Sequence, residues 1–422
     1  MKKTVAVVGA GTMGASITTA LIGAGYKVFL QEINDEFLQQ GLSRIDKFLA
    51  SKVKKGLTAQ EAEKQRRLVH GTTNYEGFSE SAFVIEAASE NIELKQKLFA
   101  SLDEVCSKEA ILATNTSSLS ITQIAGQTKI PSRVIGMHFF NPAHIMKLVE
   151  VIPGLETSKQ TIDATLAFAR DLGKLAVRVE ECPSFLVNRL LGRYMNESLY
   201  CLQEGIATVE EIDKAACDFN MPIGPLALRD MNGADIGLAV ARFNHQEYGE
   251  RYAVPEIIEL MVNEKLLGQK TGSGFYTYDS QTRKRGEVNP KLKGLIEQIT
   301  VKNASGEDAA VSAINRTKPA FAAQRLFLPM INEAFLVLQE HICDPQDLDP
   351  ALMAGLGMRK GPLKLASEMG LDNCLRQLQE LYELYGERFR PAGLLKRYVW
   401  AGKNSVESST QSDRTAPVLG IF

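Results

Sequence analysis

The stretch that most limits what this chain can fold into lies near its start. Thr4–Val8 is a short strand, apolar after its first residue, and it runs straight into Gly9-Ala10-Gly11-Thr12-Met13-Gly14. A helical stretch follows to about Gly23. GxGxxG alone means little, but between a strand and a helix each glycine has a task. The first makes the tight turn, the second lets the backbone approach a pyrophosphate, and the third lets the helix pack closely on the strand. The pyrophosphate then sits at the helix N-terminus. Gly25–Gln31 reads as the next strand and Glu32 closes it. An acidic residue about 20 positions beyond the glycines is where adenosine ribose hydroxyls are bound, and its charge repels a 2′-phosphate, which favours NAD over NADP. Gly9, Gly11, Thr12, Met13, Gly14 and Glu32 are therefore candidate cofactor contacts.

From Asp35 to Leu68 the pattern is helical and charged, with a break at Gly56 and Thr58. A plain crossover between parallel strands needs one helix, so this segment reads as an inserted helical hairpin. Its lysines Lys52, Lys54 and Lys55 suit either a solvated face or the phosphates of a substrate carrier. Ala82–Ala88 and Ala110–Asn115 read as further strands, the first leading through Glu90 to a helix that contains Lys95. Ligands of doubly wound sheets sit beyond the carboxyl ends of the strands. Glu90, Asn115, Ser117, His138 and Asn141 all fall at such ends. Helix capping is the plainer reading for one of Ser117 and Ser118.

Val134–Phe140 is an apolar run rich in β-branched and aromatic residues, stopped by Asn141-Pro142, and Lys147–Ile152 reads as a returning strand. That arrangement can set Glu150 beside the imidazole of His138. A carboxylate there fixes the ring's tautomer and stabilises its imidazolium, which makes histidine a general base near neutral pH. A core histidine and a solvated glutamate suit this segment equally.

Past Cys182-Pro183 the pattern becomes helical, with Asn188 on the first helix, and Gln269–Tyr276, which holds Lys270, is a glycine-rich turn into a short strand. Asn188 fits an exposed amide, a satisfied core amide or a functional group. An internal repeat then appears. Asn196-Glu197, Leu202-Gln203-Glu204, Gly224-Pro225-Leu226 and Tyr248-Gly249-Glu250-Arg251 recur in order at an offset of 136 residues, rising to 137. Two copies are too few for a solenoid and suggest a pseudo-twofold pair. The expected fold is α/β, a Rossmann-type doubly wound sheet with an inserted helical hairpin, followed by two repeated all-α domains. The expected domains are 1–181, 182–280 and 318–406, with a linker over 281–317 and a loose tail over 407–422.

The net charge of −2 gives no basic field for nucleic acid or an anionic membrane. No apolar run approaches the length of a membrane span, and the glycines after Lys2 and Lys3 make the N-terminus a strand and turn rather than a signal peptide. The six cysteines are scattered, with no CxxC and no Cys/His cluster, which argues against a zinc site and fits a reducing, cytoplasmic compartment.

Together the blocks GAGTMG, VIEAASENIELK, NTSSLSIT, HFFNPAHIMKLVEVI, PSFLVNRLL, MPIGPLALRDMNGADIG and KTGSGFY resemble the L-3-hydroxyacyl-CoA dehydrogenase family over almost the whole chain. The doubled helical module resembles the dehydrogenase part of multifunctional fatty-acid oxidation proteins and the stand-alone 3-hydroxybutyryl- and 3-hydroxyadipyl-type enzymes. The resemblance implies NAD as cofactor and an acyl-CoA thioester as substrate. It implies that His138 is the general base and Glu150 its partner. Ser117 and Asn188 contact the 3-oxygen, and Glu90, Lys95, Asn115, Asn141 and Lys270 lie around the cofactor. The hairpin with Lys52, Lys54 and Lys55 meets coenzyme A. Three departures stand out: Glu32 replaces the usual Asp, Ser184 replaces a usual glycine, and His144 falls where an apolar residue or Pro is usual. A surface position is the plainer reading for His144. The counterpart of Asn188 falls near Ala322–Arg325, where no asparagine occurs, so the second copy is expected to be structural. The chain is expected to be a monomer with an internal pseudo-dimer, or a homodimer. A dehydrogenase acting on a free β-hydroxy acid and a non-catalytic NAD-binding protein are the competing readings.

Overall fold

In the computed structural model, residues 4–305 and 321–406 are described; the expected tail, the end of the expected linker and the first residues of the second helical module lie outside them. The chain divides into two compact units, Met1–Leu186 and Val187–Phe422.

The first unit is built on an eight-stranded sheet. Its strands are β1 (Thr4–Val8), β2 (Val28–Gln31), β3 (Val69–Thr72), β4 (Ser81–Glu86), β5 (Ile111–Thr114), β6 (Val134–Phe139), β7 (Leu148–Pro153) and β8 (Leu175–Arg178). Their spatial order is β3-β2-β1-β4-β5-β6-β7-β8. The pairings are parallel except β6 with β7. Central strands covered on both faces need apolar residues on both, and β1, β2, β5, β6 and β7 are buried almost throughout. The helices are α1 (Thr12–Gly23), α2 (Asp35–Lys54), α3 (Ala59–Arg66), α4 (Ile92–Val105), α5 (Ile121–Ala125) and α6 (Lys159–Asp171). The hairpin of α2 and α3 breaks as expected. Gly56 takes a φ of 111°, and Thr58 starts α3 with a capping box to Glu61. Sequence reading missed β3 and β8. Each is four residues long and sits at an edge of the sheet, and β3 carries His70-Gly71, which no strand pattern favours.

The second unit contains α7 (Val187–Gln203), α8 (Val209–Phe219), α9 (Pro225–Asn232), α10 (Ala234–Tyr248) and α11 (Glu256–Asn263), then a small hairpin of β9 (Tyr276–Tyr278) and β10 (Arg285–Val288), then α12 (Lys291–Ser305). So the stretch read as a linker carries a strand and a helix over its described part. The second copy supplies α13 (Gln324–Gln339), α14 (Pro345–Leu356), α15 (Pro362–Met369), α16 (Leu371–Tyr385) and α17 (Gly393–Trp400).

The repeat is visible as mirrored contacts. Asp213 caps α9 by accepting from the Leu226 and Ala227 N–H groups, and Asp349 caps α15 through Leu363 and Lys364. Between the copies the pairs are reciprocal. Arg189 donates to Glu333 at 2.7 Å and to Glu340 at 2.6 Å, while Arg325 donates to Glu197 at 2.9 Å and to Glu204 at 3.3 Å. Arg251 lies 3.2 Å from Glu333, and Arg388 donates to Glu204 at 2.8 Å. This is an isologous contact made within one chain: i touches j′ where i′ touches j. The guanidiniums also lie over the rings of Tyr248 and Tyr385 at 4.5 and 4.4 Å.

Glu333 is fully buried among Arg189, Arg193 and Arg251, so removing its charge takes a shared anion from three cations. Glu333→Gln is expected to cost about 3–5 kcal/mol of unfolding free energy, and Glu197→Gln, its counterpart, a comparable amount. Urea unfolding of the second unit measures both; a loss below about 1 kcal/mol for Glu333→Gln would show that the ring of charges does not hold the copies together.

Candidate active site

The sheet order places the carboxyl ends of β1 and β4 side by side, where the strand order reverses. Gly9 leaves β1 with a φ of 92°, and a Cβ on it would fall 2.9 Å from the Ala87 carbonyl oxygen. A Cβ on Gly14 would fall 1.8 Å from the Gly9 oxygen, so the helix packs on the turn only with glycine there. A Cβ on Gly11 would meet nothing within 4 Å, so that side of the loop is open. Glu32 stands at the end of β2 and is tied to the loop. Its carboxylate accepts from the Ala10 N–H at 2.8 Å and from the Ile33 N–H at 2.8 Å. An open glycine turn at a helix N-terminus, with a carboxylate one strand away, fits a dinucleotide.

Beyond β4 and β5 lies a chain of polar contacts. Glu90 accepts from the Thr116 hydroxyl at 2.6 Å, the Ser117 N–H at 2.9 Å and the Ser117 hydroxyl at 3.2 Å. These donors and Lys95 hold its carboxyl below the usual range against the opposing effect of burial, the largest single influence. The Asn115 side-chain oxygen accepts from the Phe139 N–H at 2.9 Å, which joins the ends of β5 and β6.

His138 and Glu150 are register partners on β6 and β7. Side chains directly opposite on antiparallel strands stand close on one face. His138 Nδ1 lies 2.7 Å from Glu150 Oε2, with the carboxylate fully buried and the imidazole 6% exposed. An ionised Glu150 keeps the hydrogen on Nδ1, so Nε2 presents its lone pair on the opposite edge of the ring. Phe140 and Phe185 flank the imidazole at 4.6 and 5.8 Å between ring centroids.

Comparison with known proteins gives this arrangement a family. The 3-hydroxyacyl-CoA dehydrogenase NAD-binding domain matches residues 4–182, and the C-terminal domain of the same family matches residues 185–278 and again 321–411. The chain belongs to the 3-hydroxyacyl-CoA dehydrogenase family. It is 38% identical over 93% of its length to a glyoxysomal fatty acid beta-oxidation multifunctional protein of Cucumis sativus, covering 54% of that protein. It is 36% identical to the alpha subunit of a fatty acid oxidation complex of Shewanella amazonensis over 94% of this chain and 55% of the relative. The chain thus spans about half the length of the curated relatives it matches. Among solved structures, 3-hydroxybutyryl-CoA dehydrogenase of Escherichia coli aligns over 94% of this chain and 98% of its own, at 31% identity and a TM-score of 0.83.

The Gly9–Gly14 turn and Glu32 stand at the carboxyl ends of β1 and β2, beside the point where the strand order reverses. Lys95 is 1% exposed and committed to Glu86 at 2.7 and 2.9 Å, so it stands behind the surface rather than on it. Ser117 and Ser118 do not cap α5: Ser120 does, by accepting from the Gln123 N–H. Asn141 is exposed just past β6, and its bond to Pro142 is cis. The three hairpin lysines separate: Lys54 and Lys55 are exposed, while Lys52 is half-buried with its ammonium against Gly23. In the second unit Asn188 is half-buried on the first turn of α7. Lys270 pairs with Asp235 at 2.5 Å on a turn wrapped around the buried Asp230, whose carboxylate accepts from the Phe275 and Tyr276 N–H groups. Gln324 falls at the counterpart of Asn188. Ser184, at the usual glycine, takes a φ of 62°, and Phe185 follows at 51°, so the backbone keeps the left-handed turn that glycine favours.

Sequence reading missed two carboxylates. Glu86, fully buried at the end of β4, accepts from the Ala88 N–H, Lys95 and the Thr114 hydroxyl. Glu181 accepts from the Ser120 and Thr122 hydroxyls. The one charge in the apolar run AFVIEAA was the available signal for Glu86.

His144 is half-buried rather than exposed. Its ring centroid lies 4.4 Å from that of Phe48 of α2, the planes tilted by 34°, and its Nδ1 lies 2.8 Å from the Ser16 hydroxyl of α1. Burial, then the charges of Lys52, Lys174 and Lys55, push its imidazole down from 6.5 to about 4. Between those values the folded chain binds fewer protons here than the unfolded chain, so this contribution to stability is complete above pH 6.5 and lost as pH falls towards 4. His144→Gln is therefore expected to flatten the fall in melting temperature across that window; a slope equal to wild type would remove His144 as the titrating group.

Proposed function

We propose that this chain catalyses the reversible NAD-dependent oxidation of an (S)-3-hydroxyacyl-CoA to the 3-oxoacyl-CoA, as in fatty-acid β-oxidation, with His138 as general base. The observation that carries the reading is the 2.7 Å contact of His138 with a fully buried carboxylate, Glu150, at the end of the sheet where ligands of this fold lie. His138 Nε2 takes the substrate hydroxyl proton, and Glu150 stabilises the imidazolium that results. Ser117 holds the 3-oxygen, on which charge develops, and Glu90 orients the Ser117 hydroxyl. Bound NAD supplies the hydride acceptor. The Gly9–Gly14 turn with Thr12 and Met13 receives its pyrophosphate, and Glu32 its adenosine ribose. Asn115 and Asn141 complete the surroundings, with Lys95 acting from behind through Glu86 and Glu90. Lys54 and Lys55, exposed at the end of α2, meet the phosphates of coenzyme A, with Lys52 adding its field from below. We place this chemistry in the cytoplasm, in a monomer whose two helical copies form the pseudo-dimer or in a homodimer of such chains.

Two measurements test the reading. His138→Gln is expected to lower NADH-dependent reduction of acetoacetyl-CoA by about 10²–10⁴-fold while NADH binding, followed by fluorescence titration, stays near wild type. Glu150→Gln is expected to slow the same reaction without unfolding the first unit. Near-normal turnover in His138→Gln would end the base assignment. Wild-type protein that binds NADH and reduces none of a panel of 3-oxoacyl-CoA esters would end the reaction assignment.

A further inference from the structure

Three segments of the first unit bring lysines together with no acid to pair them. Lys174 stands on the turn between α6 and β8, Lys147 leads into β7, and Lys52 and Lys55 lie at the end of α2. The charges of Lys52, Lys55 and Lys174 all reach His144, and those of Lys147 and Lys52 reach Lys174. Among the described residues Lys52, Lys55, Lys147 and Lys174 have no carboxylate partner. The acid nearest to Lys174 in sequence, Asp171, takes the Tyr26 hydroxyl at 2.6 Å. Like charges held close favour the neutral form of one of them.

Lys174 differs from the other three in what holds it. Its Nζ donates to the Ala143 carbonyl at 2.6 Å and to the Met146 carbonyl at 2.7 Å, both in the turn that joins β6 to β7. An ammonium has three N–H groups, so one is left over. Loss of that proton leaves a neutral amine whose two hydrogens still serve both carbonyls and whose lone pair points away from them. Burial first, then the charges of Lys147 and Lys52, bring the ammonium down from 10.5 to about 8, so that about a tenth is neutral at pH 7. The side chain is half-buried, which leaves it open to a reagent. A lysine partly withdrawn from water and set beside other cations is in the setting where its amine acts as a nucleophile.

We propose that Lys174 is an acyl-acceptor site that acyl thioesters modify, and that the adduct slows the enzyme. The neutral Nζ attacks the thioester carbonyl carbon. The C–N bond forms, the C–S bond breaks, and the departing thiolate takes up the proton released from nitrogen. The products are an amide on Lys174 and a free thiol, with nothing oxidised or reduced. The proposal rests on the acyl-CoA reading above for its natural donor. The amide has one N–H where the amine had two, so either the Ala143 or the Met146 carbonyl loses its donor. Those carbonyls belong to the turn that brings β7 back along β6 and sets Glu150 opposite His138. Ester in excess thereby restrains the enzyme that consumes it.

The test incubates the full chain with butyryl-CoA, which has no 3-oxygen to oxidise or reduce, and with S-butyryl-N-acetylcysteamine, which needs no coenzyme A site. Peptide mass spectrometry reads butyrylation at each lysine. Both esters are expected to label Lys174 about tenfold or more faster than the exposed Lys97 and Lys108, at a rate that levels off above about pH 8. Turnover of acetoacetyl-CoA is expected to fall in step with occupancy at Lys174. Lys174→Arg keeps donors for both carbonyls and should hold near-normal turnover before and after butyryl-CoA treatment, whereas Lys174→Gln, which removes the charge, should start slow. Labelling of Lys174 no faster than Lys97 and Lys108 would overturn the site and leave the reaction standing. Full occupancy with unchanged turnover, or an equal loss of turnover in treated Lys174→Arg, would overturn the restraint. A protein that reduces no 3-oxoacyl-CoA ester yet is labelled at Lys174 by the small thioester would lose the reaction and keep the acceptor site.

Discussion

The reversal of direction between β6 and β7 is the constraint on which the first unit's chemistry depends. The first six strands in sequence run parallel, and their carboxyl ends gather the glycine turn, Glu32, Glu90 and Ser117 at one edge. A seventh parallel strand would have needed a crossover helix. A short return across Asn141–Lys147 instead sets β7 antiparallel, and antiparallel register brings His138 and Glu150 face to face. A slip of one residue would send Glu150 to the opposite face of the sheet. The wholly apolar neighbours on both strands make such a slip expensive, so core packing fixes the geometry of a polar pair.

Polar groups behind the surface extend that logic. Glu86 has no exposure, yet it binds Lys95, Thr114 and the Ala88 amide, and Lys95 in turn lies 3.5 Å from Glu90. Glu90 then holds the Ser117 hydroxyl. A satisfied buried network of this kind is stiff, because any member that moves leaves a charge unmatched in a medium of low dielectric. The second unit uses the same device for a different end. Its reciprocal arginine–glutamate pairs lock two copies of one helical module, so a contact that could be made between two chains is made within one. Among the described residues of that unit, Arg229 is a buried arginine without an ion-pair partner, and its Nε has no acceptor.

Much of this was legible in the chain. The strands with long apolar runs, the hairpin break at Gly56-Leu57-Thr58, and the repeat of Asn-Glu and Leu-Gln-Glu each carry a local signal that outlasts any detail of packing. The carboxylate opposite His138 was legible for the same reason, since two strands and a turn leave few registers. What was not legible was contact at a distance. β3 and β8 are too short to have a period of their own and become strands only by pairing with a neighbour. His144 looked like a surface residue because nothing in its local sequence tells of Phe48 or Ser16, which approach from elements far away in the chain. Capping was the plainer reading for one of Ser117 and Ser118, but Ser120 took that task and Glu90 took the other hydroxyls.

The sequence by itself determined the order of elements, the glycine turn with its acidic partner, the duplication and the family, because these depend on spacing and residue type along the chain. Only the tertiary structure decided which side chains were free for chemistry. It turned Lys95 inward to Glu86 and left Lys54 and Lys55 outside. It matched Arg189 and Arg325 across the repeat and, among the described residues, left Arg229 without an anion, its guanidinium against Gly237. The physical reason is that the cost of burying a charge depends on what surrounds it in space, and those surroundings are assembled from residues more than a hundred positions apart in the case of Arg189 with Glu333.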